Sequence, residues 1–242
     1  MDRIAPTRRP KGEPQGYHRW RTLLFLHWEI DVAQLRDKVP GELSIDTFDG
    51  KAYVGLVPFT MEGIRPAWLP ESLSFAFHET NVRTYVHRNG EDPGVYFFSL
   101  DAASTAAVVG ARVGWSLPYF RAEMSIEQTD DRVRYRTHRL PPGPRPANAA
   151  IDWEIGASVG HAEPGTLTHF FAERYLLYAK DGDTLYSGQV HHTPYPLHEA
   201  RVTSLEQTML KAAGLDVDGP PMSALYSPGV DVEVFPLVGV VG

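Results

Sequence analysis

The sequence contains no cysteine, which excludes disulfides, thiol nucleophiles and thiolate metal sites. It has no apolar run approaching the roughly 18–20 residues that a membrane-crossing helix needs, so no membrane partner is expected. Positive charge is also scarce: 23 Lys and Arg stand against 30 Asp and Glu, a net charge of −7. Holding nucleic acid by neutralising phosphates would require a basic surface, so that class is set aside. The opening Met1-Asp-Arg-Ile-Ala-Pro-Thr-Arg-Arg-Pro10 lacks the apolar stretch of a secretory leader. Together these absences favour a soluble, cytoplasmic protein. Amine nucleophiles are few as well. Lys11, Lys38, Lys51, Lys180 and Lys211 fall in the tail, beside turns or near helix ends, where side chains are normally solvated.

What is present is an ordinary globular composition, 43% hydrophobic and 22% charged over 242 residues, enough to bury a substantial core. Residues 1–20 read as a flexible, proline-bearing arm and 21–242 as a single domain. Asp31 is placed to cap a short helix over Val32–Val39. Asp49-Gly50 predicts a hairpin between Leu43–Phe48 and Lys51–Met61, because that dipeptide tolerates positive φ. Asn89-Gly90 joins Ser74–Arg88 to Gly94–Asp101 in the same way. Ala102–Val113, alanine-rich and free of proline, is the strongest helical stretch. Farther on, Phe120–Gln128 and Val133–Arg139 pair around Thr129-Asp130-Asp131, and Ala172–Ala179 reads as a strand leading through Asp181-Gly-Asp183 into Thr184–His191. Ten to twelve strands with a few short helices define a mainly β (α+β) protein, an antiparallel sheet curled or closed into a barrel to avoid exposed edges.

The stretch Ser74–Arg121 organises the chain. Alternation along its first strand puts Phe75, Phe77, Glu79, Asn81, Arg83 and Tyr85 on one face. A face grading from aromatic to Glu-Asn-Arg-Tyr suits a strand lining a polar cavity; the plainer reading is a solvated face with a cross-strand ion pair. A buried Glu79 would have a raised pKa and could serve as an acid/base. Arg83 and Arg112 could grip a carboxylate bidentately, and Tyr85, Tyr96 and Tyr119 could donate to an oxygen. The opposing reading is that Glu79, Arg83 and Arg112 neutralise one another inside the barrel. Glu173 and Tyr175 share one face of their expected strand and Arg174 takes the other, so one of these sets should face the cavity. His191 and His192, with Glu173 and His27, raise the question of a metal. Adjacent strand histidines point apart, however, and no His-x-His or His-Glu-x-x-His pattern occurs, so no metal or other cofactor is expected. Gly156-Ala-Ser-Val-Gly160 spells a nucleophile elbow around Ser158, but it sits inside an expected strand without the following helix that the elbow requires.

Phe25-Leu-His-Trp-Glu-Ile-Asp31, Asp46-Thr-Phe-Asp-Gly50, Val57-Pro-Phe59, Glu79-Thr-Asn-Val-Arg-Thr-Tyr85, Phe97-Phe-Ser-Leu-Asp-Ala102 and Glu173-Arg-Tyr175 carry a family resemblance. They resemble the motifs of the YqjF-like family within the acetoacetate decarboxylase-like superfamily, over roughly Arg21 to Leu237. The resemblance implies a β-barrel-like core with a few helices, self-association into a homo-oligomer, and an inward carboxylate at Glu79. Acetoacetate decarboxylase itself uses a Schiff-base lysine in a Gly-Arg-Glu…Pro-Lys-Lys stretch, its pKa depressed by a cationic neighbour. The similar stretch here is Gly110-Ala-Arg-Val-Gly-Trp-Ser-Leu-Pro118, with Arg112 in the arginine's place, followed by Tyr119 and Phe120 where the lysines should stand. Neither can form an imine, so decarboxylation by that route is not expected. Three readings follow: a small-molecule-binding barrel for an organic acid or similar metabolite, a lysine-independent enzyme on the same cavity, or a structural or oligomeric protein with a filled core.

Overall fold

The two Asx-Gly dipeptides turn the chain as their chemistry dictates. Asp49 and Gly50 take φ of 50° and 76°, and Asn89 and Gly90 take 50° and 80°. That doubly positive pattern is the signature of a type I′ turn. In the computed structural model, which describes residues 1–104 and 117–240, the second turn joins β4 (Phe75–Arg88) to β5 (Glu91–Ala102) as expected. The first closes only a single bridge, with Phe48 and Lys51 exchanging backbone hydrogen bonds at 3.0 Å. The expected hairpin does not continue from it. The two-residue β2 (Ser44–Ile45) pairs with β4 instead, while the chain after the turn runs on as β3 (Ala52–Pro66).

Five long strands form a wall in the order β5-β4-β3-β1-β12, where β1 spans Gly16–Ile30 and β12 spans Ser223–Val234. The two outer edges of this wall each fork. One branch, β6 (Tyr119–Thr129), β7 (Arg132–Arg139), β8 (Asn148–Gly160) and β11 (Leu197–Gln207), runs from β5 round to β12. A second branch, β9 (Leu176–Asp181) and β10 (Thr184–His191), makes the same journey on the other side. Both strand edges are thereby consumed, which removes the exposed pairing groups of an open sheet. The sheet of thirteen strands is therefore ring-like, with two rings sharing one wall. The short β13 (Val238–Gly239) extends β10.

One feature departs from the expected antiparallel arrangement. β5 pairs in parallel with β6 through Leu100–Ala102 and with β9 through Val95 and Tyr96. Both partners re-enter the sheet after long connections, and only such crossovers can bring strands together in the same direction.

A wall with a ring on either side has no solvent face, and the sequence of β1 shows it. Leu23 and Phe25 enter the core beside β9–β10, whereas Leu24, Leu26 and Trp28 enter the core beside β6–β7–β8–β11. β3 splits likewise, Tyr53, Val57 and Phe59 to the first interior and Val54 and Leu56 to the second. Burial on both faces explains the unbroken apolar run, which one-sided sheets do not need. Asp31 caps α1 (Val32–Arg36) by accepting from the Ala33 amide at 2.9 Å. Two further short helices, α2 (Leu167–Ala172) and α3 (Met209–Ala212), plug the first and second interiors respectively. Of the helix expected over Ala102–Val113, Ala102 ends β5 and Ala103 and Ser104 are not helical, while residues 105–113, with Arg112 among them, lie outside the described residues. β1 starts at Gly16, ahead of the expected Arg21. Before it, Pro6 is buried and its carbonyl accepts from the Gln189 amide at 2.7 Å.

Candidate functional site

Strand alternation along β4 directs Phe77, Glu79, Asn81, Arg83 and Tyr85 into the first interior, beside α2 and β9–β10, while Thr80 and Val82 face the second. Glu79 is 2% exposed. Its Oε2 accepts from the Tyr119 hydroxyl at 2.7 Å, because the parallel entry of β6 sets Tyr119 against the end of β5, next to Glu79's own cross-strand partner Ala102. Burial pushes the Glu79 carboxyl up to about 8, the negative charge of Asp101 adds to the rise, and the Tyr119 hydrogen bond opposes it. Asp101 reaches Glu79 from behind the wall, where it forms a bidentate pair with Arg139 at 2.5 and 2.8 Å. Near neutral pH Glu79 is thus largely a neutral acid, able to give or take one proton. Burial, then the Glu79 carboxylate, raises Tyr119 well above the ordinary phenol range, so it stays a donor.

Arg83 sits two turns of the pleat further on. It is 9% exposed and donates from Nη2 to the Phe171 carbonyl at 3.1 Å. Its guanidinium lies 5.7 Å from the Phe25 ring centroid and 5.8 Å from that of Tyr85. No carboxylate pairs with it among the described residues, and its Nε has no partner there. Space for it comes from Gly55 on β3: a Cβ at that position would stand 3.5 Å from Arg83 Cγ and 3.3 Å from the His27 ring. The Tyr85 hydroxyl donates to the same Phe171 carbonyl at 3.2 Å and lies 2.6 Å from His27 Nε2. With Tyr85 donating to that carbonyl, His27 must give it the Nε2 proton, which leaves His27 Nδ1 a bare, buried acceptor. The His27 ring stacks on Phe171 at 3.8 Å, and burial holds its pKa well below the usual histidine range.

The segment Glu173–Tyr175 departs from the alternation expected of it. It is the irregular link between α2 and β9, not part of a strand, so Glu173 and Arg174 are both buried. Glu173 accepts from the Tyr175 hydroxyl at 2.7 Å and the Tyr195 amide at 3.1 Å, and burial raises its pKa against those two bonds. Arg174 pairs with buried Asp46 at 2.8 Å, and Arg3 reaches the other Asp46 oxygen at 2.5 Å.

Glu79, Arg83, Tyr85, Tyr119 and Glu173 therefore share one interior. Tyr96 does not join them: half-buried on the opposite face of β5, it packs with the Val39, Leu43 and Tyr178 cluster. Glu79 and Arg83 do not pair with each other, since Glu79 is bound to Tyr119. His191 turns outward to Glu233 at 3.5 Å and His192 inward, its Nδ1 lying 2.7 Å from the Thr193 carbonyl. Among the described residues no three metal-binding side chains converge. Ser158 is exposed on β8, and α2 begins only at Leu167, so the elbow geometry is absent there. None of the five lysines is buried; Lys51 and Lys180 pair with Glu29 and Glu42. Two depressions of about 630 and 490 Å³ open elsewhere, one around Ser125, Arg136 and Ala150, the other around Pro6, Tyr178 and Gln189. Neither carries a buried titratable cluster like that around Glu79. Sequence reasoning did not single out Asn81, which shares the inward face of β4, or Tyr195, whose amide meets Glu173; an aromatic held between prolines in Thr193-Pro-Tyr-Pro196 was the one local signal for Tyr195.

The fold is that of acetoacetate decarboxylase-like proteins. An acetoacetate decarboxylase-like enzyme from Sphingomonas wittichii RW1 superposes with a TM-score of 0.64 at 10% identity, over 95% of this chain and 94% of that one. The enduracididine biosynthesis enzyme MppR, solved in complex with pyruvate, gives 0.62 at 11% identity over 95% and 91%. Within that class the chain belongs to the DUF2071 family, described as an uncharacterized conserved protein, whose pattern matches residues 17–231. It is 37% identical over 219 residues to the uncharacterized protein YqjF of Bacillus subtilis (strain 168), spanning 90% of this chain and 89% of that protein. No helix among the described residues is long and apolar enough to cross a membrane.

Proposed function

We propose that the chain binds a small organic acid in the interior between the wall and the β9–β10 branch, with Arg83 as the carboxylate's partner. The observation that carries this reading is a buried guanidinium without a carboxylate among the described residues. Burying an uncompensated charge is expensive, and an anionic ligand is the natural compensation. Asn81 Oδ1, also buried and without a partner among the described residues, lies between Glu79 and Arg83 on the same face. The pyruvate complex of MppR supports a carboxylate ligand by analogy of fold alone. A Schiff base plays no part, because Tyr119 follows Pro118 where the superfamily's lysine would stand and every lysine lies outside the core.

Titrating pyruvate and acetoacetate into the protein by calorimetry tests the reading. Binding should weaken at least about tenfold in Arg83→Met, the loss of one charge-assisted contact. Equal affinity in the variant would reject Arg83 as the anchor. The raised Glu79 favours a second reading, turnover by acid/base chemistry without a lysine. Glu79→Gln separates the two: ligand affinity should survive it, while any conversion of the bound acid followed by NMR should stop.

A further inference from the structure

We propose that residues 1–14 form a strap over the interior that holds Arg83, latched by Arg3 and released to let a ligand in. The ligand's nature rests on the Arg83 reading above; the strap itself does not. Glu79 is 2% and Arg83 9% exposed, so a small molecule reaches them only when a covering segment moves. Parting the strands around them would break ladder hydrogen bonds. The arm differs. Among the described residues no backbone hydrogen bond ties residues 1–14 to the rest of the chain; the first runs from the Gln15 amide to the Val234 carbonyl at 2.7 Å, just before β1. Side chains hold the arm instead. Arg3 sits on Asp46 at 2.5 Å, Gln189 donates to the Pro6 and Arg8 carbonyls at 2.7 and 3.1 Å, and Arg9 meets Glu233 at 2.6 and 3.1 Å. Of residues 1–14 only Pro6 and Pro14 are buried. Beside Pro6 the arm bridges a gap rather than filling it: the 490 Å³ depression lies between it and Arg88, Tyr178 and Ser187.

Arg3 is a latch that can let go. Asp46 is already paired with Arg174, so the departure of Arg3 strands no buried charge. The Arg9–Glu233 pair is solvated and holds weakly. Inward from the latch the contacts are continuous. The Arg3 guanidinium lies 5.2 Å from the Phe170 ring centroid, and the next residue, Phe171, gives Arg83 its carbonyl partner. Arg174, on the other Asp46 oxygen, lies 5.1 Å from the Tyr85 centroid, and Arg83 lies 5.8 Å from the same ring. Along this line three guanidinium groups share one carboxylate, Asp46, a balance that draws an anion toward Arg83 once the arm is displaced.

The chain has no cysteine, so one introduced thiol reports access at its own position. Ala172→Cys puts a thiol at the end of α2 in the interior beside β9–β10, and Ala149→Cys puts one in the other interior; both alanines are 3% exposed. Alkylation by iodoacetamide is followed by intact mass. Adding Arg3→Met should speed labelling of Ala172→Cys at least about tenfold and leave Ala149→Cys unchanged. Raising salt from about 0.05 to about 0.5 M should speed labelling of Ala172→Cys while Arg3 is present, and much less in Arg3→Met, because the latch is ionic. An unchanged rate in Arg3→Met, or an equal rise at both thiols, would overturn the strap. Should Ala172→Cys lose its near-ultraviolet dichroism, hydrogen exchange in Arg3→Met without any thiol decides. Faster exchange in α2 than in β7 and β8 supports the strap, and a uniform or absent change overturns it. No ligand enters these measurements. Pyruvate binding that is lost in Arg83→Met but associates no faster in Arg3→Met would keep the Arg83 reading and overturn the strap; faster labelling without any pyruvate binding would do the reverse.

Discussion

Two buried arginines on opposite sides of one wall make an instructive pair. Arg139, in the interior beside β6–β7–β8–β11, is gripped by both oxygens of Asp101 and stacks on Phe120 with its carbon 4.1 Å from the ring centroid. Arg83, in the interior beside β9–β10, has carbonyl and aromatic neighbours and no carboxylate among the described residues. The first charge is compensated by the fold, the second only in part. Among the described residues Arg139 has a carboxylate partner and Arg83 has none, though both are buried and both belong to the same sheet.

Breaking the compensated side should have the largest effect. Arg139→Met leaves Asp101 charged and unpaired in a dry interior and should cost about 3–5 kcal/mol in urea unfolding. A loss below about 1 kcal/mol would mean that Asp101 is reached by water. The next effect is one of pH. Glu79 has a folded pKa of about 8, above its ordinary value, so between about pH 5 and pH 8 the folded chain holds a proton that the unfolded chain has released. Its contribution therefore makes the protein less stable as pH rises through that window, by up to about 1.4 kcal/mol per pH unit. Glu79→Gln should remove that slope, and unfolding curves collected at pH 5, 6, 7 and 8 would show it; parallel slopes in the two proteins would contradict the burial argument. The smallest effect belongs to Arg83→Met, which removes a charge that the fold compensates poorly. Its stability should stay within about 1 kcal/mol of the wild type, or rise. A loss as large as that of Arg139→Met would dissolve the contrast between the two sides.

The parts of this molecule that could be read from its sequence were those set by neighbours in the chain. Period-two alternation placed Glu79, Arg83 and Tyr85 on one face of β4, and Asn89-Gly90 fixed the turn after it. What could not be read depends on contacts across long separations. Glu79 meets Tyr119 40 residues away, and Asp46 meets Arg174 128 residues away. The forked wall edges and the two parallel pairings arise from the same long connections. Local reasoning went astray where it assumed a regular strand: Glu173 and Arg174 do not take opposite environments, because the link after α2 bends both into the core. It also credited Asp49-Gly50 with a full hairpin, when the turn forms but β2 finds a better partner in β4.

A wall buried on both faces makes strand register an address. The register shift between Val82 and Arg83 against β5 sits beside the very residues that divide the two interiors. Were β4 to slide by one position, Glu79 and Arg83 would exchange sides with Thr80 and Val82, and the acid and the arginine would be delivered to the compartment already occupied by Asp101 and Arg139. Insertions and deletions within β4 are thus changes of chemistry as well as of packing.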